Sequence, residues 1–176
     1  MISTIVLGTG CFWCSDSIFR SLKGVITVET GYANGHIDNP TYKQVCSGNT
    51  GHVEVVRITF RTEVISLIDL LNVFWYSHDP TSKDKQGCDV GPQYRSVILF
   101  TNHEQKQIAQ ESMLEMQEGP WRGRPIVTEV QPLSCFFNAE DYHQNYCAKN
   151  PSVPFCLSQI FPKVTKMRSK FPDLFI

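Results

Sequence analysis

The chain is predicted to fold as an α+β protein: a two-layer α/β sandwich of the split βαβ, ferredoxin-like kind, with a mixed sheet, extra helices and an irregular C-terminal tail. Three observations predict it. From residue 2 to residue 100 the hydrophobic pattern switches between period two and period 3.6 in the order β-α-β-β-α-β. The 176 residues, 41% of them hydrophobic, suit one domain, residues 1–176, with a single buried core. After Asn150-Pro151, the residues Pro154, Pro162 and Pro172 interrupt every pattern, so the last stretch reads as an extended tail laid across the domain.

Each element has its own signal. Ile2-Ser3-Thr4-Ile5-Val6-Leu7-Gly8 is a short apolar run ending in glycine, as a buried strand requires. Ile18, Phe19 and Leu22 then recur at helical spacing until Lys23-Gly24 ends the pattern. Val25 to Tyr32 is β-branched and alternating, and Asn34-Gly35 is a turn signal. Residues 36–50 form an irregular excursion with one helical turn over Tyr42-Lys43-Gln44-Val45. The strand from His52 to Phe60 puts Glu54, Val56, Ile58 and Phe60 on one face and Val53, Val55, Arg57 and Thr59 on the other. Ser66 and Asp69 match a capping box, and Leu67, Leu70, Leu71, Phe74 and Trp75 form a core-facing helical stripe that His78-Asp79-Pro80 ends. A polar loop through Gly87-Cys88-Asp89 leads into a strand from Tyr94 to Phe100. A helix from about His103 to Glu118 stops at Gly119-Pro120, a strand covers 126–130, and a short helix covers 139–149. No repeat or linker interrupts the series.

Composition excludes several function classes. With 16 Lys+Arg against 17 Asp+Glu, net charge −1 and no basic block, the chain suggests neither a nucleic-acid groove nor an anionic membrane surface. The N-terminus has no basic n-region and no spanning segment, so the cytoplasm is the expected location and a monomer the expected state. Seven cysteines without the spacing of a secreted scaffold are, in a reducing compartment, catalytic, redox-active or buried thiols. The histidines His36, His52, His78, His103 and His143 stand at no metal-ligand spacing, so neither metal nor cofactor is expected.

Chemistry concentrates in Gly10-Cys11-Phe12-Trp13-Cys14, where the first strand gives way to the first helix. At a helix N-terminus, unpaired N–H groups and the positive dipole end favour a thiolate and bring a Cys pKa from about 8.5 to roughly 3.5–7.5. A nucleophilic Cys11 thiolate is therefore expected; the competing reading makes Cys11 and Cys14 two small buried hydrophobes. Glu54 shares its strand face with three apolar residues. Desolvation there keeps a carboxyl protonated, as a general acid requires, whereas a frayed or bulged strand end leaves it in water. The loop that delivers Asp89 and Tyr94 to a strand start fits either a site or a plain surface connection. Cys46, Cys135 and Cys147 read as small packing residues.

An ordered set of stretches resembles the peptide methionine sulfoxide reductases of the A class. They are Gly10-Cys11-Phe12-Trp13, Gly31-Tyr32-Ala33-Asn34-Gly35, Asn39-Pro40-Thr41-Tyr42, Val45-Cys46-Ser47-Gly48 and Thr50-Gly51-His52-Val53-Glu54, then Phe74-Trp75, His78-Asp79-Pro80, Gln93-Tyr94-Arg95-Ser96 and Ala139-Glu140-Asp141-Tyr142-His143-Gln144. The resemblance implies an enzyme that reduces methionine-S-sulfoxide, free or in proteins. Cys11 would be the nucleophile and Glu54 the acid, with Tyr42 and Tyr94 donating to the sulfoxide oxygen. Phe12 and Trp13 would hold the methyl group, and Asp89 would position the substrate. It also implies a sulfenic acid on Cys11, an intramolecular disulfide and thioredoxin as reductant. Asn150-Pro151-Ser152-Val153-Pro154-Phe155-Cys156 matches the family's recycling segment, which makes Cys156 the resolving thiol, with Cys14 and Cys88 as alternatives. Two other function classes fit parts of the chain. One is a thioredoxin-like dithiol oxidoreductase using Cys11 and Cys14; the other is a non-catalytic module gripping methionine peptides with Phe12 and Trp13.

Overall fold

The first strand of the chain, β1 (Ile2–Gly8), lies inside its sheet, with a partner on each side, in a computed structural model that describes all residues 1–176. The chain then makes α1 (Phe12–Arg20), β2 (Val25–Ala33), α2 (Tyr42–Cys46), β3 (Val53–Arg61) and α3 (Leu67–Ser77). Next come β4 (Lys85–Gln86), β5 (Asp89–Val90), β6 (Val97–Phe100), α4 (His103–Glu118), β7 (Glu129–Pro132) and β8 (Phe136–Asn138). Two helices complete the chain, α5 (Tyr146–Lys149) and α6 (Phe161–Lys170).

Six strands pair in the order β7-β6-β1-β3-β2-β8, with β4 and β5 as a separate hairpin. The β6–β7 pair is parallel and the other ladders are antiparallel, which makes an α+β structure with a mixed sheet. One face carries the larger core: Ile5, Leu7, Val56, Ile58, Phe60 and Ile98 meet Phe12, Ile18 and Phe19 of α1 and Leu70, Leu71 and Phe74 of α3. The other face buries Val6, Ala33, Val53, Val55, Val97 and Leu99 beneath Leu133 and Phe136. This partition follows the two-residue alternation of β3, with Val56, Ile58 and Phe60 on the helix side.

Caps set the helix starts. Ser66 accepts from Asp69 N while the Asp69 side chain accepts from Ser66 N. Thr41 and Gln44 form the same reciprocal box at α2. Several expectations need correction. The strand expected from Tyr94 begins at Val97, because Pro92–Tyr94 winds into a 3-10 turn with proline in its first turn. The strand expected over 126–130 is shifted to Glu129–Pro132, where it pairs with β6. In place of one helix over 139–149 stand a 3-10 turn, Asp141–His143, and α5, separated by Asn145 in the left-handed region at φ 53°. The tail is not extended: a π turn, Cys156–Ile160, leads into α6. Pro162 falls in that helix's first turn, where no N–H is needed, so it starts the helix instead of breaking it. The last residues dock on α1's end, Lys23 N donating to Leu174 O and Ile176 N to Ser21 O. No helix is long and apolar enough to cross a membrane.

Candidate active site

Cys11 is the N-cap of α1, and its side chain caps nothing. The orphan N–H of Phe12 donates instead to Glu54 Oε1 on β3 at 3.1 Å. Glu54 is only 1% exposed, and its other oxygen, Oε2, has no protein partner. Burial pushes its carboxyl up to about 8, against the pull of the Phe12 N–H. Glu54 is thus a neutral acid near pH 7, with one oxygen free to act.

The Cys11 expectation is corrected. Burial drives its thiol well above the ordinary range, and the Glu54 carboxylate, when charged, adds to that. The Trp13 N–H pulls the other way and loses. Helix-end N–H groups favour a thiolate, but here the desolvation of a half-buried sulfur outweighs them. Cys14, more deeply buried than Cys11, is raised by burial against the opposing influence of the Lys163 ammonium.

Aromatic groups surround this pair. Phe12 is fully buried, its ring 5.7 Å from Tyr32 and 6.5 Å from Tyr42, nearly parallel to the latter. Trp13 donates from Nε1 to His143 Nδ1 at 2.9 Å, and its ring meets Tyr146 edge-on at 3.8 Å and Phe155 at 6.0 Å. Tyr42 and Tyr94 both feel the Glu54 charge, and burial above all holds their phenols protonated. Glu140 braces the wall from behind, accepting from Tyr32 OH at 2.8 Å and from Tyr42 N at 2.9 Å. Cys11 also borders a cleft of about 90 Å³, walled by Cys14, Gln86, Cys88 and Asp89 and closed by Phe155 and Lys163 from the tail. Gly10 makes this closeness possible. At φ +111° its missing Cβ leaves room for Gln86, whose Cβ and Cγ would lie 2.8 Å from one.

Ten residues singled out from the sequence meet the structure as follows. Cys11, Cys14, Cys88 and Asp89 share the cleft; Phe12, Trp13, Tyr42, Tyr94 and Glu54 gather around the start of α1. Cys156 is fully buried and bonded to Cys147, so it holds no free thiol in this state. Cys147 is therefore no mere packing residue. Cys46, expected to pack inside, is exposed on α2 beside Tyr42. Lys163, Glu140 and the partner role of His143 went unread. Lys163 falls in the stretch expected to be extended, although Ile160, Val164 and Met167 have helical spacing.

A model of the family described as peptide methionine sulfoxide reductase matches residues 3–174. A peptide methionine sulfoxide reductase MsrA from Trichodesmium erythraeum is 51% identical over 173 residues, covering 98% of each chain. The chain belongs to the peptide methionine sulfoxide reductase family. Enzymes of this family reduce peptide methionine sulfoxide, so the chain is an oxidoreductase. Two solved reductase structures share its fold. Mxr1 from Saccharomyces cerevisiae in reduced form has a TM-score of 0.81 at 35% identity, covering 86% of this chain and 87% of that one. Methionine sulfoxide reductase A of Corynebacterium diphtheriae has a TM-score of 0.81 at 34% identity, covering 87% and 78%.

Proposed function

We propose that this reductase acts on the S epimer of methionine sulfoxide, free or in proteins, with Cys11 as nucleophile and Glu54 as the proton donor. The observation that carries the reading is Glu54 Oε2, a buried oxygen on a protonated carboxyl with no partner of its own, beside the residue that starts α1. A sulfoxide oxygen takes on negative charge as its bond to sulfur breaks. A proton from Glu54 and hydrogen bonds from the Tyr42 and Tyr94 phenols meet that charge where it develops. The Cys11 sulfur forms a bond to the sulfoxide sulfur, and its proton passes to Glu54 as Glu54 gives its own to oxygen. The oxygen then leaves with Cys11 as a sulfenic acid, and methionine departs as the neutral thioether. Phe12 and Trp13 hold the methyl group against aromatic faces.

Cys156 is the proposed resolving thiol. It attacks the Cys11 sulfur and expels water; Cys147 then attacks Cys156, which frees Cys11 and leaves the Cys147–Cys156 bond. Two facts support this order: Phe155, next to Cys156, walls the Cys11 cleft, and Cys147 and Cys156 are the bonded pair. Cys14 and Cys88 line the same cleft and are the alternative resolvers. Thioredoxin, a dithiol donor of two electrons, is the proposed reductant, and the cytoplasm the proposed compartment, in keeping with five cysteines that remain free. The direct test supplies the S and R epimers separately with dithiothreitol and follows methionine. Turnover of S alone is expected; equal turnover of both, or of neither, overturns the reading.

A further inference from the structure

The Cys11 cleft has one carboxylate and one ammonium on different walls. Asp89 is carried by the β4–β5 hairpin and Lys163 by α6. Neither takes part in a salt bridge, although every other wall residue is uncharged. Lys163 lies beside the Cys14 thiol, which burial pushes up and keeps protonated, so Cys14 offers it no counter-charge. The Lys163 charge reaches Asp89, drawing its carboxyl down against the rise that burial imposes. α6 follows directly on the turn begun at Cys156, so the disulfide to Cys147 anchors the wall from which Lys163 reaches in.

Two opposite charges facing one cleft, unpaired with each other and beside the nucleophile, match a zwitterion. Methionine sulfoxide as a free amino acid is one; a residue inside a peptide has neither charge. We infer that Lys163 is a specificity residue that receives the α-carboxylate of free methionine sulfoxide, while Asp89 receives its α-ammonium. The inference rests on the reading of Cys11, which borders this cleft, as the nucleophile that meets the sulfoxide.

The test uses the full chain with dithiothreitol and four S-sulfoxide substrates. Free methionine sulfoxide has both charges, and N-acetyl-methionine sulfoxide only the carboxylate. Methionine sulfoxide methyl ester has only the ammonium, and N-acetyl-methionine sulfoxide methyl ester neither. Lys163→Met keeps the packing stem and removes the charge. Its KM is expected to rise roughly tenfold to hundredfold for the two carboxylates, the range that a charge-assisted hydrogen bond commands, and to stay unchanged for the two esters. Lys163→Arg should restore most of the discrimination. An equal loss on all four substrates would show that Lys163 acts on the thiols or on packing, and no change on any would leave it idle; either result overturns the inference. Failure of the unaltered chain to reduce any of the four would instead overturn the reading of Cys11 as the sulfoxide nucleophile, on which the inference stands.

Discussion

The main-chain N–H of Phe12 donates to a carboxyl oxygen of Glu54, so the proposed acid also caps the helix that begins beside the proposed nucleophile. Glu54→Gln keeps an acceptor for that N–H and removes the proton donor. The expected loss in kcat is at least about a hundredfold, the lower end for general acid catalysis. Stability should move the other way. The folded Glu54 holds its proton up to about 8, against a reference of 4.5, so the folded state binds a proton that the unfolded chain has released. Its contribution is complete below pH 4.5 and declines by about 1.4 kcal/mol per pH unit until about 8. Thermal melts should therefore show Glu54→Gln gaining on the unaltered chain as pH rises through this window. A constant difference would contradict the buried neutral acid.

The same group sets an upper limb on activity. kcat/KM is expected to fall about tenfold per pH unit above a pKa near 8, where Glu54 loses its proton. The Cys11 thiol, held protonated by burial, provides no compensating rise over that range. A steady-state profile still flat two pH units above the midpoint would remove Glu54 from the mechanism.

The cysteines separate by stoichiometry. Cys11→Ser is expected to form no methionine. Cys156→Ser should release one methionine per enzyme and then stop when thioredoxin is the reductant. Cys147→Ser should accumulate a Cys11–Cys156 bond, visible by mass mapping of the oxidised protein. Undiminished cycling in Cys156→Ser would move the resolving role to Cys14 or Cys88, which share the cleft with Cys11.

Trp13 and His143 form a donor–acceptor pair at 2.9 Å, and His143 is completely buried. Trp13→Phe preserves an aromatic wall but strands His143 Nδ1. A cost of about 1–3 kcal/mol in urea unfolding is expected, together with a raised KM as the wall loses its fixed orientation. Wild-type values for both would show that the pair positions nothing.

Gly10→Ala should be expensive for its size. The backbone conformation is one that side chains avoid, and the new methyl would meet Gln86. A loss of about 1–3 kcal/mol is expected in denaturant titration, with reduced turnover because the β4–β5 hairpin must shift away from Cys11. A neutral result would show that the hairpin yields freely.

Much of this architecture was legible in local patterns. The alternation of β3 placed Glu54 with Val56, Ile58 and Phe60, and the folded sheet buries all four on one side. Ser66 and Asp69 announced their helix by capping chemistry alone. What escaped depended on distance in space. The proton affinity of Cys11 is decided by enclosure, which a helix-start motif does not encode. Cys147 looked inert because its partner is defined by a turn at Cys156 that the prolines masked. Lys163 follows Pro162, and a proline in a helix's first turn looks in sequence like one that ends a helix. β8 is three residues long and held by pairing with β2, too short for any period to show.

The cleft beside Cys11 draws one wall from residues near the N-terminus and another from Phe155, Gln159, Ile160 and Lys163. A ribosome making this protein therefore exposes the reactive cysteine long before the residues that enclose it exist. Until those residues have emerged, the nascent thiol is as open to oxidants as any unfolded one, and its shelter arrives with α6.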